Sequence, residues 1–106
     1  MADKIKTFSQ AIRVGITFKP QCFGHFAEDD KSCVIQAAAE AIGFETGYMA
    51  WRSEEFLKRW PALIQWKKCP ECLDSWGNGV ELCMHLNDKH RWTRERIADH
   101  LEGLGL

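Results

Sequence analysis

Long apolar runs are missing from this sequence: nowhere do the about 18 consecutive apolar residues of a membrane-spanning helix occur. The first ten residues, MADKIKTFSQ, contain no apolar block of the kind a secretory signal needs, so a cytoplasmic protein is expected. An excess of either charge is missing too. Fourteen Lys and Arg against fifteen Asp and Glu leave −1, and no global positive field marks a nucleic-acid or anionic-membrane surface. The chain lacks the three or more repeated units that a solenoid requires. The phosphate-cradling patterns GxxxxGK and GxGxxG are absent, as is HExxH. Glu54 and Glu55 are neighbours rather than facing partners, so they do not suggest paired-carboxylate chemistry. These absences argue against an enzyme.

What remains is a chain of 106 residues, 45% hydrophobic and 27% charged, which is apolar enough to fold and short enough to form one domain over residues 1–106. Five cysteines, an odd number without a secretory signal, argue against a disulfide scaffold. Five tryptophans are many for this length; each removes a large area from water while its indole N–H still needs a partner.

Apolar spacing places most of the chain in helices. Ile5, Phe8 and Ile12 share one helical face with Ala11 beside them, predicting a helix to about Val14 that ends near Gly15. The competing reading is a strand, because Ile12, Val14, Ile16 and Phe18 also alternate. A loop follows from Pro20 and Gly24, and its Glu28-Asp29-Asp30 run reads as solvated surface. Ser32 is a candidate cap for a helix over residues 33–42 that stops at Gly43. In that helix only Gln36 and Glu40 are polar, so it should be enclosed over most of its circumference, and its four alanines permit close backbone approach. Acidic residues at Glu54 and Glu55 suit a further helix start. Pro61 then divides that region into helices 54–59 and 61–67, or kinks a single one.

The C-terminal region reads as a helical hairpin. From Val80, the residues Leu82, Cys83, Met84 and Leu86 occupy one broad apolar arc, with Glu81 and His85 on the other side. Thr93 is a natural N-cap, Trp92 precedes it, and Ile97 stands where a hydrophobic staple would place its second member. Trp92 is therefore expected to be packed rather than exposed, and the HLNDKHRWT segment to be a structural joint between helices.

HLNDKHRWTRERIADHLEGLG resembles the tail of small bacterial and phage-encoded proteins of uncharacterised function, through HLND, W-T-R-E and IAD. SCVIQAAAEAIG is similar to their cysteine-containing, alanine-rich helix, and with AIRVGITFKPQCFG the likeness touches about half the chain. The resemblance implies a fold and no activity, and it carries His85, Leu86, Asn87, Asp88, His90, Trp92 and Arg94 over as a structural motif. Val34-Ile35-Gln36 stands where a small residue such as glycine would be expected, which speaks against a backbone-approach role for that helix.

Two surfaces are candidates for function. Cys69 and Cys72, in CPEC, have the C-x2-C spacing that lets two thiolates converge on zinc. A second C-x2-C or an H-x3-H is absent. Cys83 and His85 are two positions apart, about 200° around a helix, and cannot face one ion. His90 is the further candidate ligand, with Cys22 or His25 supplied across the fold. The other readings of CPEC are a plain turn with free thiols and, more weakly, thiol exchange, since no helix begins at Cys69. The second candidate surface is basic: Arg52, Lys58, Arg59, Lys67 and Lys68 interleave with Trp51, Trp60 and Trp66, a combination able to stack bases and hold phosphates. The C-terminal hairpin offers Arg91, Arg94 and Arg96 in a helix-turn-helix-like arrangement. Against this, residues 80–106 hold four Lys or Arg and five Asp or Glu.

The expectation is a mainly α fold: four or five short helices around helix 33–42, closed by the hairpin 80–103, with a minor extended pair near 16–26 or 44–50. The expected function is that of a non-enzymatic accessory or protein-interaction protein, without a cofactor, acting on a protein partner and not at a membrane. A nucleic-acid-binding protein and a small zinc-binding protein are the alternatives. The sequence leaves the partner's identity and the oligomeric state open.

Overall fold

Residues Val34 to Ala39 are buried without interruption, and the rest of the fold is arranged around them. The computed structural model describes residues 5–23, 27–28, 31–43, 53–72 and 76–106. Among these, five α-helices occur: α1 Phe8–Gly15, α2 Val34–Ala41, α3 Ser53–Arg59, α4 Gly79–Asp88 and α5 Arg94–Gly103. A 3-10 turn covers Pro61–Ile64, and two short antiparallel strands, β1 Ala27–Glu28 and β2 Lys31–Ser32, pair Ala27 with Ser32 and Glu28 with Lys31. The protein is mainly α and ends in a helical hairpin. No helix among the described residues is long and apolar enough to cross a membrane.

The first helix ends at Gly15 as expected but starts only at Phe8, so Ile5 packs from the segment before it. Thr7 caps it by accepting the Gln10 N–H, and Ile5, Phe8, Ala11 and Ile12 are all buried. The alternating reading fails because Phe18 is left exposed. Gly15 ends the helix where it meets α2: a Cβ there would lie 1.8 Å from the carbonyl oxygen of Ala37. The alanine helix is therefore a backbone-approach surface, contrary to the expectation drawn from Val34-Ile35-Gln36. Ala37 and Gly15 supply the small residues, and Gln36 is buried one step away. Phe8 packs against Phe56 and Trp60, with ring centroids 5.3 and 5.5 Å away, which fastens α3 to α1.

Three expected boundaries move. Cys33, not Ser32, caps α2, its Sγ accepting the Gln36 N–H, because the Ser32 backbone is already committed. The Ser32 N–H donates to Pro20 O and its carbonyl accepts from Cys22 N. The helix expected over 61–67 shrinks to one 3-10 turn, since Lys67 N donates to Gly77 O and draws the chain into an extended bridge. The extended pair forms between Ala27–Glu28 and Lys31–Ser32, and among the described residues of 16–26 Gln21 makes a lone bridge to Ser32. The alternative at 44–50 lies outside the described residues, as do Trp51, Arg52, Asp29 and Asp30.

Helix α4 starts earlier than Val80, on a reciprocal cap in which Asn78 accepts from Glu81 N and Glu81 accepts from Asn78 N. Thr93 caps α5 as expected. Asn87, wholly buried, accepts from Gln21 Nε2 and Val34 N and donates to Cys22 O, joining α4 to the start of α2. Trp92 is buried, and its indole meets Glu71, Arg96 and His100. Trp92→Ala should lower unfolding stability by about 3–5 kcal/mol through the cavity it leaves. Thr93→Ala should cost about 1 kcal/mol. Denaturant unfolding of the two variants checks the order, and an unchanged midpoint for Trp92→Ala contradicts the packing role.

Candidate metal centre

The CPEC segment begins two residues after Lys67 of the Lys67–Gly77 bridge, so the chain leaves an extended stretch and turns back sharply through Pro70. In that turn the sulfur of Cys69, fully buried, accepts the backbone N–H of both Glu71 and Cys72 at 3.4 Å.

The facing wall comes from the end of α4. His85 occupies its last turn, and His90 lies just beyond it. Had the helix continued, five residues at about 100° each would have set the two imidazoles about 140° apart. Instead the helix stops, Arg91 adopts a left-handed φ of 54°, and Trp92 N donates to Leu86 O. This reversal folds His90 back on His85, their Nε2 atoms 3.1 Å apart and their rings perpendicular at 88°. Cys72 Sγ lies 3.5 Å from His85 Nε2. One donor atom from each of Cys69, Cys72, His85 and His90 falls within 4.8 Å of the other three.

These separations suit a tetrahedral ion. With Zn–N of about 2.0–2.1 Å and Zn–S of about 2.3 Å, tetrahedral edges come to about 3.3 Å for N···N and about 3.6 Å for S···N. The observed 3.1 and 3.5 Å lie close to those values. Two thiols and two imidazoles are also the donor types zinc prefers. The turn is held from outside as well: the Trp92 indole N–H donates to Glu71 Oε2 at 2.6 Å, latching CPEC onto the α4–α5 joint.

Cys69, Cys72 and His90 therefore come together, and His85 completes the set. Sequence reasoning passed over His85 after showing that it faces away from Cys83, which is buried in the apolar core. The signal was present in the spacing. Twelve residues separate Cys72 from His85 and four separate His85 from His90, which matches the C-x2-C-x12-H-x3–5-H pattern of two-cysteine, two-histidine zinc sites. Cys22 lies elsewhere, bonded through its backbone to Ser32 and Asn87. His25 is outside the described residues.

The basic candidates are more scattered. Lys58 and Arg59 are exposed at the end of α3, Arg59 lying over the Trp60 ring, while Trp60 itself is buried. Lys68 is exposed, and Lys67 donates through Nζ to Gln65. Of the hairpin arginines, Arg94 is buried and donates to Ser32 O, Ser32 Oγ and Lys19 O. Arg91 and Arg96 lie over the rings of Phe23 and Trp92. Of the three, Arg94 is committed to acceptors inside the fold, while Arg91 and Arg96 remain exposed.

Two of the remaining thiols are inert for a physical reason. Burial pushes the Cys33 thiol up to about 12, and burial raises Cys83 as well. In metal-free native protein, an alkylating reagent near neutral pH should therefore modify Cys72, the half-buried thiol, first. Cys33 and Cys83 should react only on unfolding, and zinc should protect Cys72. Peptide mapping of the alkylated protein checks the order.

Fold and site together define a mainly helical protein with a four-donor cysteine–histidine centre at the joint between a turn and a helix end. No protein-family model, curated protein or solved structure matches the chain.

Proposed function

We propose that this protein is a small non-enzymatic interaction module whose C-terminal half is braced by one structural zinc ion, held by Cys69, Cys72, His85 and His90. The observation that carries the reading is the convergence of four soft or borderline donors within 4.8 Å, with backbone amides already directed at one sulfur. A closed set of four protein ligands leaves no position for water or substrate, which favours a structural over a catalytic ion. The ion would tie the CPEC turn to α4 and to the α4–α5 joint. The five cysteines, none of them in a disulfide, accord with a reducing compartment, and we assign the protein to the cytoplasm.

Native mass spectrometry of freshly reduced protein tests the proposal. The expected mass carries one zinc, lost with chelator and absent from both Cys69→Ser and His85→Ala. A metal-free mass after refolding with zinc overturns it.

A further inference from the structure

Beside the metal centre, on the outer side of His85, lies a cleft of about 390 Å³ lined by Trp66, Trp76, Glu81, Met84, His85 and Asp88. Its two indoles reach it for a definite reason. Lys67 and Gly77 face each other across an antiparallel bridge, so the residues preceding them, Trp66 and Trp76, both project to the opposite face. In antiparallel pairing such residues are diagonal neighbours on one face. Trp76 leans edge-on against His85, with centroids 4.3 Å apart and planes at 88°, which fixes its tilt. Trp66 remains 63% exposed, an unusual position for so large an apolar side chain.

Glu81 and Asp88 contribute carboxylates to the cleft from the same side of α4, and among the described residues that line it there is no lysine or arginine. Glu81 Oε1 accepts the Asn78 N–H and Asp88 Oδ1 accepts from Asn87 Nδ2, both neutral donors. Aromatic faces and carboxylates attract the same kind of guest, a cation. A thioether and two indoles suit one that is weakly hydrated. We infer that this cleft binds an alkylated ammonium group, the methylated lysine side chain of a partner polypeptide. The volume is at the small end of the about 300–1,000 Å³ typical of ligand clefts, enough for one side chain. Ile64, 69% exposed and two residues before Trp66, offers apolar surface for the flanking peptide.

The inference goes beyond the zinc reading and can fail separately from it. A short glycine-flanked peptide carrying one trimethyllysine is titrated into zinc-supplemented protein, with the indole N–H signals of Trp66 and Trp76 followed by NMR. Saturable shifts at both indoles are expected, with binding at least about tenfold weaker for the neutral tert-butyl isostere. Trp66→Ala, at an exposed position, should weaken binding severalfold while leaving the zinc content unchanged. Equal binding of the neutral isostere, undiminished binding by Trp66→Ala, or no saturable shift overturns the inference. Tetramethylammonium binding as tightly as the peptide overturns the polypeptide assignment. Saturation in a protein that holds no zinc supports the cleft and overturns the metal reading alone; a zinc-loaded protein that ignores the peptide does the reverse.

Discussion

Gly15→Ala is expected to lower unfolding stability by about 4 kcal/mol or more, at the far end of what single substitutions do. The added Cβ would sit 1.8 Å from Ala37 O, 2.3 Å from its carbonyl carbon and 2.8 Å from its Cα. All three are backbone atoms, so no side-chain rotation relieves the overlap, and α1 or α2 must move away. Movement of α2 would disturb the contact between Val34 N and the buried Asn87, and through it the attachment to α4. Helix propensity pulls the other way, since alanine is better than glycine inside a helix by about 0.5–1 kcal/mol. The sign of the effect therefore reports whether the helices truly touch. Gly103→Ala is the control: nothing lies within 4 Å of its added Cβ, and a gain of up to about 1 kcal/mol is expected. Urea midpoints for the two variants should move in opposite directions. A stabilised Gly15→Ala protein would contradict the α1–α2 contact.

Removal of zinc should have an effect of similar size. Free zinc at about a thousand times its dissociation constant adds about 4 kcal/mol to a protein that binds it only when folded. For a domain of this length each kcal/mol shifts the melting temperature by about 4–8 °C, so chelation should lower it by about 15–30 °C. Cys69→Ser should melt at the chelated temperature and gain nothing from added zinc, because its sulfur both receives two amides and stands in the donor set. Cys83→Ser provides the contrast. Cys83 is buried outside the centre, so that variant should lose stability yet still respond to zinc. Calorimetry with and without chelator separates the cases. Superimposable melts for the wild-type protein under both conditions contradict a structural ion.

Much of this protein is local in origin. The apolar stripe of Ile5, Phe8 and Ile12, the enclosed alanine helix and the Thr93 cap depend on residues within a turn or two of each other, and all three were legible by periodicity and capping chemistry. The short extended segments were not. Ser32 is drawn into pairing by Pro20 and Cys22, and Lys67 by Gly77, partners distant in the chain whose arrival no local propensity announces.

The candidate metal centre shows the same division within one site. C-x2-C is a property of the sequence, because four consecutive residues suffice to turn two sulfurs toward one point. Even the distances in sequence to His85 and His90 could be read. Their convergence could not be derived from helical geometry, which puts His85 and His90 on different sides as long as the helix continues. It required the helix to end at Asp88, the chain to reverse through Arg91, and Trp92 to be caught by Glu71 of the CPEC turn. Likewise, sequence named Trp66 only as one of several aromatics among basic residues, while the bridge at Lys67 and Gly77 set it opposite carboxylates. The residue types available for chemistry, and the helices that carry them, were thus determined by the sequence through short-range rules. Which of those residues face one another was decided by tertiary contacts, because a side chain's neighbours across the fold are selected by packing of the whole chain and not by its own few positions of sequence.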